Sequence, residues 1–555
     1  MDMYTELIQE IKQKNLTIPQ LSRLKRQLCV KYNTKKPPTN FEILLNAPDT
    51  DRDELKKKIL VKPVRTASGV APVAIMTQPF ACAHGKCTFC PGGPNSYYGS
   101  VPQSYTGHEP TTMRAIRNQY DAYLQVFNRL EQYVALGHNH DKVELIVMGG
   151  TFPSMPIEYQ NTFIRDAYAA MNDFSLFFYN KGILNFDKFK DFFELPGEVG
   201  SAERTQHIHE KLLAKKTITS LAAEQQRNET AKIRCVALCI ETKPDWGFLE
   251  HGNRMLEQGC TRVEIGVQSV YDDVLKHVHR GHDSKDAKKS FQILKDLGFK
   301  ISAHYMPGLP LTDENRDIKG FEQLFEDKDY RPDMLKIYPC MVAPGTTLYV
   351  QWKQGKFTPL TADQAAQRIV RMKKTVPRYC RVQRILRDVP TKMWASGVEF
   401  TNLRQYIHER YKPKCECIRC REPMGREIDK DSLNTDVMEY DANSGKEFFI
   451  SVNDTKNDII IGFCRLRFPS QFLRTEITKD SAIIRELHVY GTAAAIGDEG
   501  AIQHKGYGKV LLRKAEEIAR LQGKNKMVII SGVGARMYYQ KLGYEKEGPY
   551  MVKGI

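Results

Sequence analysis

Between about residue 70 and residue 337, short apolar runs alternate with helical stretches. The runs are VAIMTQ, VELIVM, CVALCIET, RVEIGVQ, KISAHYM and MLKIYP. Strands that alternate with helices predict parallel βαβ units, arranged either as a barrel or as a doubly wound sheet. A longer polar stretch over residues 174–232 interrupts the alternation and predicts a helical insertion.

Different patterns flank this region. Residues 1–66 are basic and carry apolar residues at helical spacing before a pair of prolines breaks the pattern. We predict a basic helical segment there, with a solvated helical pair packed on the next domain as the alternative. After about residue 426, strand-like runs surround one long helix, which is typical of an α+β domain.

Length and charge narrow the class of protein. A chain of 555 residues predicts several domains. No apolar run approaches the roughly 18 residues of a membrane-spanning helix, and the first residues lack a signal-peptide core. We therefore expect a cytoplasmic protein with no membrane insertion. The formal net charge of +16 favours a polyanionic partner, for which RNA, DNA or an anionic membrane surface would serve.

The basic charge is densest in residues 371–393, RMKKTVPRYCRVQRILRDVPTKM. Apolar and basic residues interleave there, so one side can pack while the other presents cationic groups to phosphates. We predict a nucleic-acid surface, and a solvated face is the alternative. The candidate residues are Lys373, Lys374, Arg378, Arg381, Arg384 and Arg387.

Two closely spaced cysteine trios indicate metal sites rather than disulfides in such a chain. The first trio, Cys82, Cys87 and Cys90, follows the first predicted strand. Three thiolates can bind three irons of a [4Fe–4S] cluster and leave the fourth iron open to a small ligand. The alternatives are a zinc site completed by His84 or His108, and buried inert cysteines.

The second trio, Cys415, Cys417 and Cys420, lies in a linker that we place at residues 396–425. A structural zinc site needs four ligands, and His408 is the nearest candidate for the fourth. A second iron–sulfur cluster is the alternative. We favour zinc because the segment joins two domains away from the predicted barrel mouth.

Glycines and polar residues end several predicted strands. In α/β barrels ligands bind where the strands end, so these residues are expected to converge on one mouth, although each motif alone more often marks a turn or a cap. Glycines let the backbone approach a ligand, Glu241 would bond a hydroxyl or amino group, and Lys243 would pair with a carboxylate. The candidate binding residues are Gly149, Gly150, Thr151, Glu241, Lys243 and Gln268, with Lys243 also a catalytic candidate.

A glycine-containing loop precedes the long helix near the C-terminus. Backbone N–H groups at such a helix start form an anion site suited to a pyrophosphate, and a structural turn is the alternative. Its residues are Gln503, His504, Lys505, Gly506, Tyr507, Gly508 and Lys509. Further on, Tyr538 and Tyr539 are adjacent, so on a helix they point about 100° apart and cannot both be core. One phenol would be free to assist a leaving thiolate.

These motifs together resemble the catalytic subunit of Elongator, a family of tRNA wobble-uridine modifying enzymes. The resemblance rests on FACAHGKCTFCPGGP, MGGTFP, CIETKPDW, VEIGVQSV, MPGLP and ISGVGARMYYQKLGYEKEGPYM, and it extends from about residue 10 to the C-terminus. Four residues rather than the three usual in radical S-adenosylmethionine (SAM) enzymes separate Cys82 from Cys87, which is characteristic of one branch. The CxCxxC linker is similar to that of the archaeal and bacterial forms.

The resemblance implies the domain arrangement. Residues 1–66 would bind tRNA, residues 67–395 would form a partial (β/α)6 radical SAM barrel, and residues 426–555 would form a Gcn5-related N-acetyltransferase (GNAT)-like domain. Residues 149–151 would meet the methionine amino group of SAM, and the polar strand-end residues would line its pocket. The loop before the long helix and the tyrosine pair, which we include among the catalytic candidates, would engage acetyl-CoA.

The resemblance also implies the reaction. A SAM-derived radical would take hydrogen from the acetyl methyl group of acetyl-CoA, and the carbon would add to C5 of the wobble uridine in the tRNA anticodon stem-loop. Thioester hydrolysis would then leave 5-carboxymethyluridine. The electron donor, and whether the chain acts as a homodimer or with partner subunits, are left open. Protein lysine acetylation and a non-catalytic tRNA-binding scaffold are the alternative functions.

Overall fold

A computed structural model describes residues 2–34, 36–59, 69–197, 201–491 and 506–555 of the chain. The N-terminal segment consists of helices α1 (Met3–Gln13), α2 (Ile18–Lys31), α3 (Asn40–Leu45) and α4 (Asp49–Ile59). Thr17 and Thr39 cap α2 and α3 with reciprocal capping boxes. Apolar residues of all four helices, among them Leu7, Ile43 and Leu55, form a core of their own. The helical prediction for this segment is confirmed.

The central region is built from alternating strands and helices. In chain order these are β1 (Ala71–Met76), β2 (Gly93–Ser96), β3 (Gly99–Val101), α5 (Pro110–Arg117), α6 (Ala122–Ala135), β4 (Lys142–Met148), α7 (Ile157–Phe178), β5 (Tyr179–Asn180), β6 (Ile183–Leu184), α8 (Phe186–Phe192), α9 (Ala202–Leu213), α10 (Leu221–Thr230), β7 (Arg234–Thr242), α11 (Leu249–Glu257), β8 (Arg262–Gln268), α12 (Asp272–His277), α13 (Ser284–Asp296), β9 (Lys300–Tyr305), α14 (Glu314–Glu326), β10 (Met334–Ile337), α15 (Thr347–Lys353), α16 (Ala362–Lys374), β11 (Arg381–Ile385), α17 (Leu403–Tyr411) and α18 (Ile418–Arg421).

A parallel sheet with the order β1-β4-β7-β8-β9-β10-β11 forms the half-barrel, so the predicted α/β barrel is confirmed. All six apolar runs form strands of this sheet. The sheet also contains a seventh strand, β11, which comes from the basic run that the sequence analysis treated as a surface. Val382 and Ile385 of β11 are buried, but the arginines between them obscure the apolar pattern of the strand.

Alternate residues of the first two sheet strands face opposite sides. Ala74, Glu144 and Ile146 line a cavity inside the half-barrel. Their neighbours Leu145 and Val147 are fully buried in the core that the sheet shares with its helices. This alternation follows from the two-residue repeat of a strand, and it leaves one face of the sheet for the site.

The region predicted as a helical insertion contains α8, α9 and α10 and the short β5–β6 hairpin. Phenylalanines hold it together: Phe174, Phe178, Phe189 and Phe193 are fully buried. Their rings contact one another, for example Phe174 and Phe178 at 4.8 Å between centroids. Although this stretch is largely polar in sequence, its phenylalanines form an aromatic cluster that belongs to the main core of the barrel.

The C-terminal domain contains β12 (Leu433–Ala442), β13 (Gly445–Asp454), β14 (Ile459–Phe468), β15 (Ser481–Val489), α19 (Tyr507–Leu521), β16 (Lys526–Ile530), α20 (Arg536–Gln540), β17 (Glu545–Glu547) and β18 (Tyr550–Gly554). They form a mixed sheet with the order β12-β13-β14-β15-β16-β18-β17. Strands β15 and β16 pair in parallel only as far as Ile484 and Ile529, although β15 continues to Val489. Strand β16 ends at Ile530, so β15 extends beyond it and leaves a gap at this place in the sheet.

Buried ion pairs join the C-terminal domain to the barrel. Arg485 lies 2.7 Å from Asp333 of the barrel and 2.8 Å from Glu447. Arg467 bonds Asp296 of the barrel at 2.6 Å and Glu447 at 2.9 Å. All five side chains are fully buried, so these pairs form a dry joint between the two domains. Among the described residues, no helix is long and apolar enough to cross a membrane.

Candidate active site inside the barrel

A cavity of about 610 Å³ occupies the interior of the half-barrel. This volume lies in the range of small-molecule sites. The cavity is lined by all three cysteines of the first trio and by five of the six residues predicted from strand ends. Those five are Gly150, Thr151, Glu241, Lys243 and Gln268. The sequence prediction that these motifs converge on one mouth is therefore matched by their positions.

Two glycines at the end of β4 allow the backbone to pass close to the site. Gly149 has φ +135° and Gly150 has φ +103°, values at which a side chain is strained. A Cβ atom at Gly149 would lie 2.0 Å from Oγ1 of Thr77. Oγ1 of Thr77 is buried and has no hydrogen-bond partner.

The first trio lies in the loop after β1. Cys87 and Cys90 are buried and Cys82 is half-buried. Burial raises the pKa of Cys82 to about 11 and also raises that of Cys90. Metal binding needs the deprotonated thiolates. Nearby cationic groups favour the thiolate form and so oppose the rise in pKa that burial causes. Nη1 of Arg280 lies 3.7 Å from Sγ of Cys87.

Several polar atoms of this cavity have no hydrogen-bond partner among the residues that the structure describes. Oε1 of Gln268 and Nε of Arg280, which both line the cavity, are buried and unbonded. Buried polar groups are nearly always paired, so unpaired ones indicate a ligand. Gln268 also holds a left-handed backbone, φ +68°, a strained conformation for this residue type. The residues present fit a metal–thiolate group with a polar nucleotide beside it.

Lys243 and Glu241 form hydrogen bonds that were not predicted from the sequence. Nζ of Lys243 lies 3.1 Å from Nδ1 of His84 and 3.2 Å from Oδ2 of Asp245. Burial lowers the pKa of Lys243 and lowers that of His84 to about 4. Glu241 accepts a hydrogen bond from the hydroxyl of Tyr105 at 2.9 Å.

A buried charged group deeper in the cavity was missed by sequence reasoning. Glu264 contacts Lys336 and lies 3.3 Å from Nε2 of His304. These residues come from the neighbouring strands β8, β9 and β10; Lys336 pairs in register with His304, whereas Glu264 pairs with Ser302, two residues earlier on β9. Charged residues inside apolar strand runs, as in RVEIGVQ and MLKIYP, were the available signal, because charges are seldom buried without a role.

The second trio has a different geometry. The sulfur atoms of Cys415, Cys417 and Cys420 all lie within 4.8 Å of one another, and no other such group of metal-ligating side chains occurs in the described ranges. His408 is not part of the group; its Nε2 lies 3.5 Å from Nζ of Lys373 instead. The donor set seen is therefore three thiols.

The first trio is not gathered in this way, with or without a histidine. A single zinc ion needs converging ligands, whereas the irons of a cluster take thiolates at separate corners. His108, one of the two proposed zinc ligands, is exposed. The geometry favours a cluster over zinc at the first trio.

The predicted nucleic-acid residues are divided between several environments. Arg384 and Arg387 line the cavity, and Arg387 donates to the backbone oxygen of Ser104. Arg381 bonds Glu422 at 2.6 Å. The remaining three do not line the cavity: Arg378 bonds Asp458 at 2.8 Å, Lys373 is fully buried and Lys374 is exposed. Arg381 also contributes to the cavity wall while paired.

At the C-terminal domain, Gln503, His504 and Lys505 lie outside the described residues. Gly506 has φ +88° and precedes α19, which begins at Tyr507; Lys509 is exposed. A Cβ atom at Gly508 would lie 3.0 Å from the hydroxyl of Tyr538. Tyr538 is 39% exposed and Tyr539 is 7% exposed, as expected for adjacent helical residues of which only one is core.

A second cavity, of about 230 Å³, lies between the two domains. His488, Tyr490 and Tyr539 line it from the C-terminal domain, beside the gap between β15 and β16. Within the described ranges, Nε2 of His488 is buried without a hydrogen-bond partner, and burial lowers the pKa of this histidine. The cavity therefore offers this ring nitrogen next to the end of β16.

Family profiles match consecutive parts of the chain. The ELP3 N-terminal domain matches residues 1–67 and the Radical SAM superfamily matches residues 79–320. The Radical_SAM C-terminal domain matches residues 332–412 and the Acetyltransferase (GNAT) family matches residues 408–544.

Relatives align over nearly the whole chain. The tRNA uridine(34) acetyltransferase of Methanocaldococcus jannaschii is 43% identical over 530 residues, covering 93% of this chain and 90% of that protein. The chain belongs to the Elongator protein 3 family.

Other members of the Elongator protein 3 family agree with this assignment. Elongator complex protein 3 of Danio rerio is 40% identical over 551 residues, covering 96% of this chain and 93% of that protein. The solved structure of Methanocaldococcus infernus Elp3 with its N-terminus deleted has 38% identity and a TM-score of 0.71, covering 88% of this chain and all of that one. The radical SAM part implies SAM and a [4Fe–4S] cluster, and the GNAT part implies acetyl-CoA.

Proposed function

We propose that this protein modifies the wobble uridine of tRNA with a two-carbon unit from acetyl-CoA, giving 5-carboxymethyluridine. One observation carries the proposal: the cavity that holds the radical SAM residues reaches through the barrel to the face on which the GNAT domain packs. The names of the relatives, tRNA uridine(34) acetyltransferase and Elongator complex protein 3, support the same substrate.

The residues of the mouth would bind and orient the nucleotide. Cys82, Cys87 and Cys90 would hold the cluster, which together with SAM supplies a carbon-centred radical able to remove hydrogen. The backbone of Gly150 would approach the methionine part of SAM. The bound nucleotide would supply a hydrogen-bond partner for the amide oxygen of Gln268. The buried Lys243 would neutralise a carboxylate. The barrel wall would keep water from the reacting groups.

The GNAT residues would place the thioester. The glycine-relieved start of α19 would bind the pyrophosphate through backbone N–H groups. The hydroxyl of Tyr538 lies beside Gly508 and would reach the sulfur. Tyr539 is buried at the wall of the cavity between the domains and would form part of the acyl pocket. Of the two tyrosines, Tyr538 is therefore the proposed proton donor.

Two further assignments belong to this proposal. Unpaired anticodon bases are the RNA feature most readily inserted into a pocket, and Arg384 and Arg387 would hold their phosphates near the cavity. We also propose that the second trio binds zinc as a clip between the barrel and the GNAT domain. The backbone N–H of Ile418 donates to the backbone oxygen of Cys380, just before β11, and Nη1 of Arg421 donates to Oδ1 of Asn453 on β13.

Anaerobic reconstitution tests the function. The protein would be loaded with iron and sulfide and incubated with dithionite, SAM, acetyl-CoA and tRNA, followed by nucleoside mass spectrometry. We expect 5-carboxymethyluridine, with coenzyme A release that depends on tRNA. Acetylation of a lysine peptide without tRNA would support a protein acetyltransferase instead, and tRNA binding with neither product would support a scaffold.

A further inference from the structure

We propose that the two cavities form one internal passage, through which the acyl end of acetyl-CoA enters the barrel from its floor and reaches the SAM-binding residues at its mouth. The inference rests on the proposed function and adds a route to it. Both cavities are lined by Glu144, Arg381 and Gln383. These three side chains therefore form the wall that the two cavities share.

The barrel cavity extends along the strands rather than lying only at their ends. On β4 it is lined by Met148 near the mouth and by Glu144 near the floor, a separation of about 13 Å at 3.3 Å per residue. Ala74 on β1 also lines the cavity, and its small side chain leaves room there. Barrel interiors are usually filled by branched side chains, so a cavity of this length requires a reason.

The second cavity places the acyl pocket against the same floor. One of its walls is the GNAT region where β15 extends past the end of β16, with His488 and Tyr539. The opposite wall is the start of the barrel strands, with Ala237, Arg262 and Met334. A thioester that projects through the gap in the GNAT sheet would therefore point at the barrel floor.

The floor between the cavities is made of long side chains that can change rotamer. Nη1 of Arg262 lies 2.7 Å from Oε1 of Glu144, and Arg381 is held aside by Glu422. Among the described residues, Nη2 of Arg262 and Oε1 of Gln383 are buried with no hydrogen-bond partner, although Nη2 of Arg262 lies 3.4 Å from Oε1 of Glu264. Opening this floor requires the long side chains to change rotamer and the Arg262–Glu144 pair to separate, but it requires no movement of a strand.

Alkylation by bromoacetyl-CoA tests the route without requiring turnover. The reagent forms a carbon–sulfur bond with a thiolate and releases bromide. We would introduce I146C, whose side chain faces the cavity, and V147C, whose side chain faces the helices, into the full-length reconstituted protein. Peptide mass mapping is expected to find the adduct at position 146, suppressed by excess acetyl-CoA, and at least tenfold less at position 147. No adduct at position 146, or equal adducts at both, would overturn the passage.

A plug gives a second, independent measurement. A74F and I146F would fill the cavity halfway along the strands, and I183F, on the exposed hairpin, is the matched control. With trideuterioacetyl-CoA and tRNA, we expect the plugged variants to lose at least tenfold of the deuterium transferred to 5′-deoxyadenosine. Their acetyl-CoA dissociation constant and melting temperature should match those of I183F.

The two possible failures are distinguishable in that experiment. If the unmodified protein transfers deuterium and the folded plugged variants transfer it equally well, the passage is wrong and the proposed function stands. If the unmodified protein makes neither modified uridine nor deuterated 5′-deoxyadenosine, the proposed function fails and takes the passage with it.

Discussion

The mouth of the barrel and its joint with the GNAT domain both bury polar and charged groups. The two regions differ in whether these groups have hydrogen-bond or ion-pair partners within the protein. At the mouth, Gln268 and Arg280 each retain a buried polar atom without a partner. At the joint, Arg467 and Arg485 each pair with carboxylates of both domains. Unused hydrogen-bonding capacity indicates a binding site, whereas mutual satisfaction indicates a structural contact.

The two regions should therefore respond differently to the loss of one charged or ligating group. At the mouth a substitution should lower activity and leave the stability of the fold unchanged, because few contacts within the protein depend on the substituted group. At the joint a substitution leaves an unpaired charge in a dry environment and weakens the fold. The predictions test this contrast.

The largest effect is expected for Cys87→Ala at the mouth. Without one of its three thiolates the cluster would be lost or unable to bind SAM productively, so formation of 5′-deoxyadenosine should fall to background. Anaerobic chromatography of the reaction measures this. Cys340→Ala, a buried cysteine outside both trios, is the control and should keep the cluster's visible absorption. Persistent SAM cleavage in Cys87→Ala would reject the cluster assignment, and lost tRNA binding would show that the change had damaged the fold.

At the joint, Asp333→Ala should destabilise the protein by about 3–5 kcal/mol. Asp333 bonds Arg485 at 2.7 Å and accepts a hydrogen bond from the backbone N–H of Ile301. Its loss leaves Arg485 with Glu447, which Arg467 shares, and adds one uncompensated positive charge to a buried cluster. Denaturant unfolding monitored by circular dichroism measures the change.

The matched control for Asp333→Ala is Asp441→Ala. Asp441 also pairs across the joint, with Lys328 at 3.0 Å, but it is exposed. An exposed pair contributes about 1 kcal/mol at most. Equal losses from the two substitutions would contradict the claim that burial distinguishes these pairs.

Sequence patterns predicted those features of the fold and the site that depend on the spacing of residues within one short segment. Six of the seven strands of the half-barrel, the two cysteine trios and the glycines at strand ends were all visible in short segments. Strand β11 was missed, because Arg381 and Arg384 occupy positions that an isolated pattern assigns to a surface. The structure pairs the first with Glu422 and places the second at a cavity wall.

Contacts between distant segments were beyond prediction from spacing. The approach of Glu264 to Lys336 depends on the register of β8, β9 and β10, which a single sequence does not specify. The same limit applies to Tyr105 and Glu241, which lie 136 residues apart. The difference between the trios is also a matter of distance, since both present three cysteines within a short segment.

A third prediction extends the contrast to the GNAT domain. Gly508→Glu should weaken acetyl-CoA binding by about 100-fold, because it fills the start of α19 and places a negative charge where a pyrophosphate would bind. Isothermal titration calorimetry measures the dissociation constant. Gly508→Gln has the same size without the charge, so it should bind more tightly than Gly508→Glu. If the two variants bind alike, space alone governs this site.

The smallest effect is expected at the rim of the barrel cavity, where the basic run divides. Arg384→Gln combined with Arg387→Gln should weaken tRNA binding about tenfold and lower the slope of log K against log salt by roughly one to two, because up to two phosphate contacts are lost. Filter binding at several salt concentrations measures both quantities. Lys374→Gln removes an exposed charge of the same run that does not line the cavity, so it should change affinity less. A larger loss from Lys374→Gln would place the RNA on the outer end of α16, and the unpaired polar groups of the mouth would then serve SAM alone.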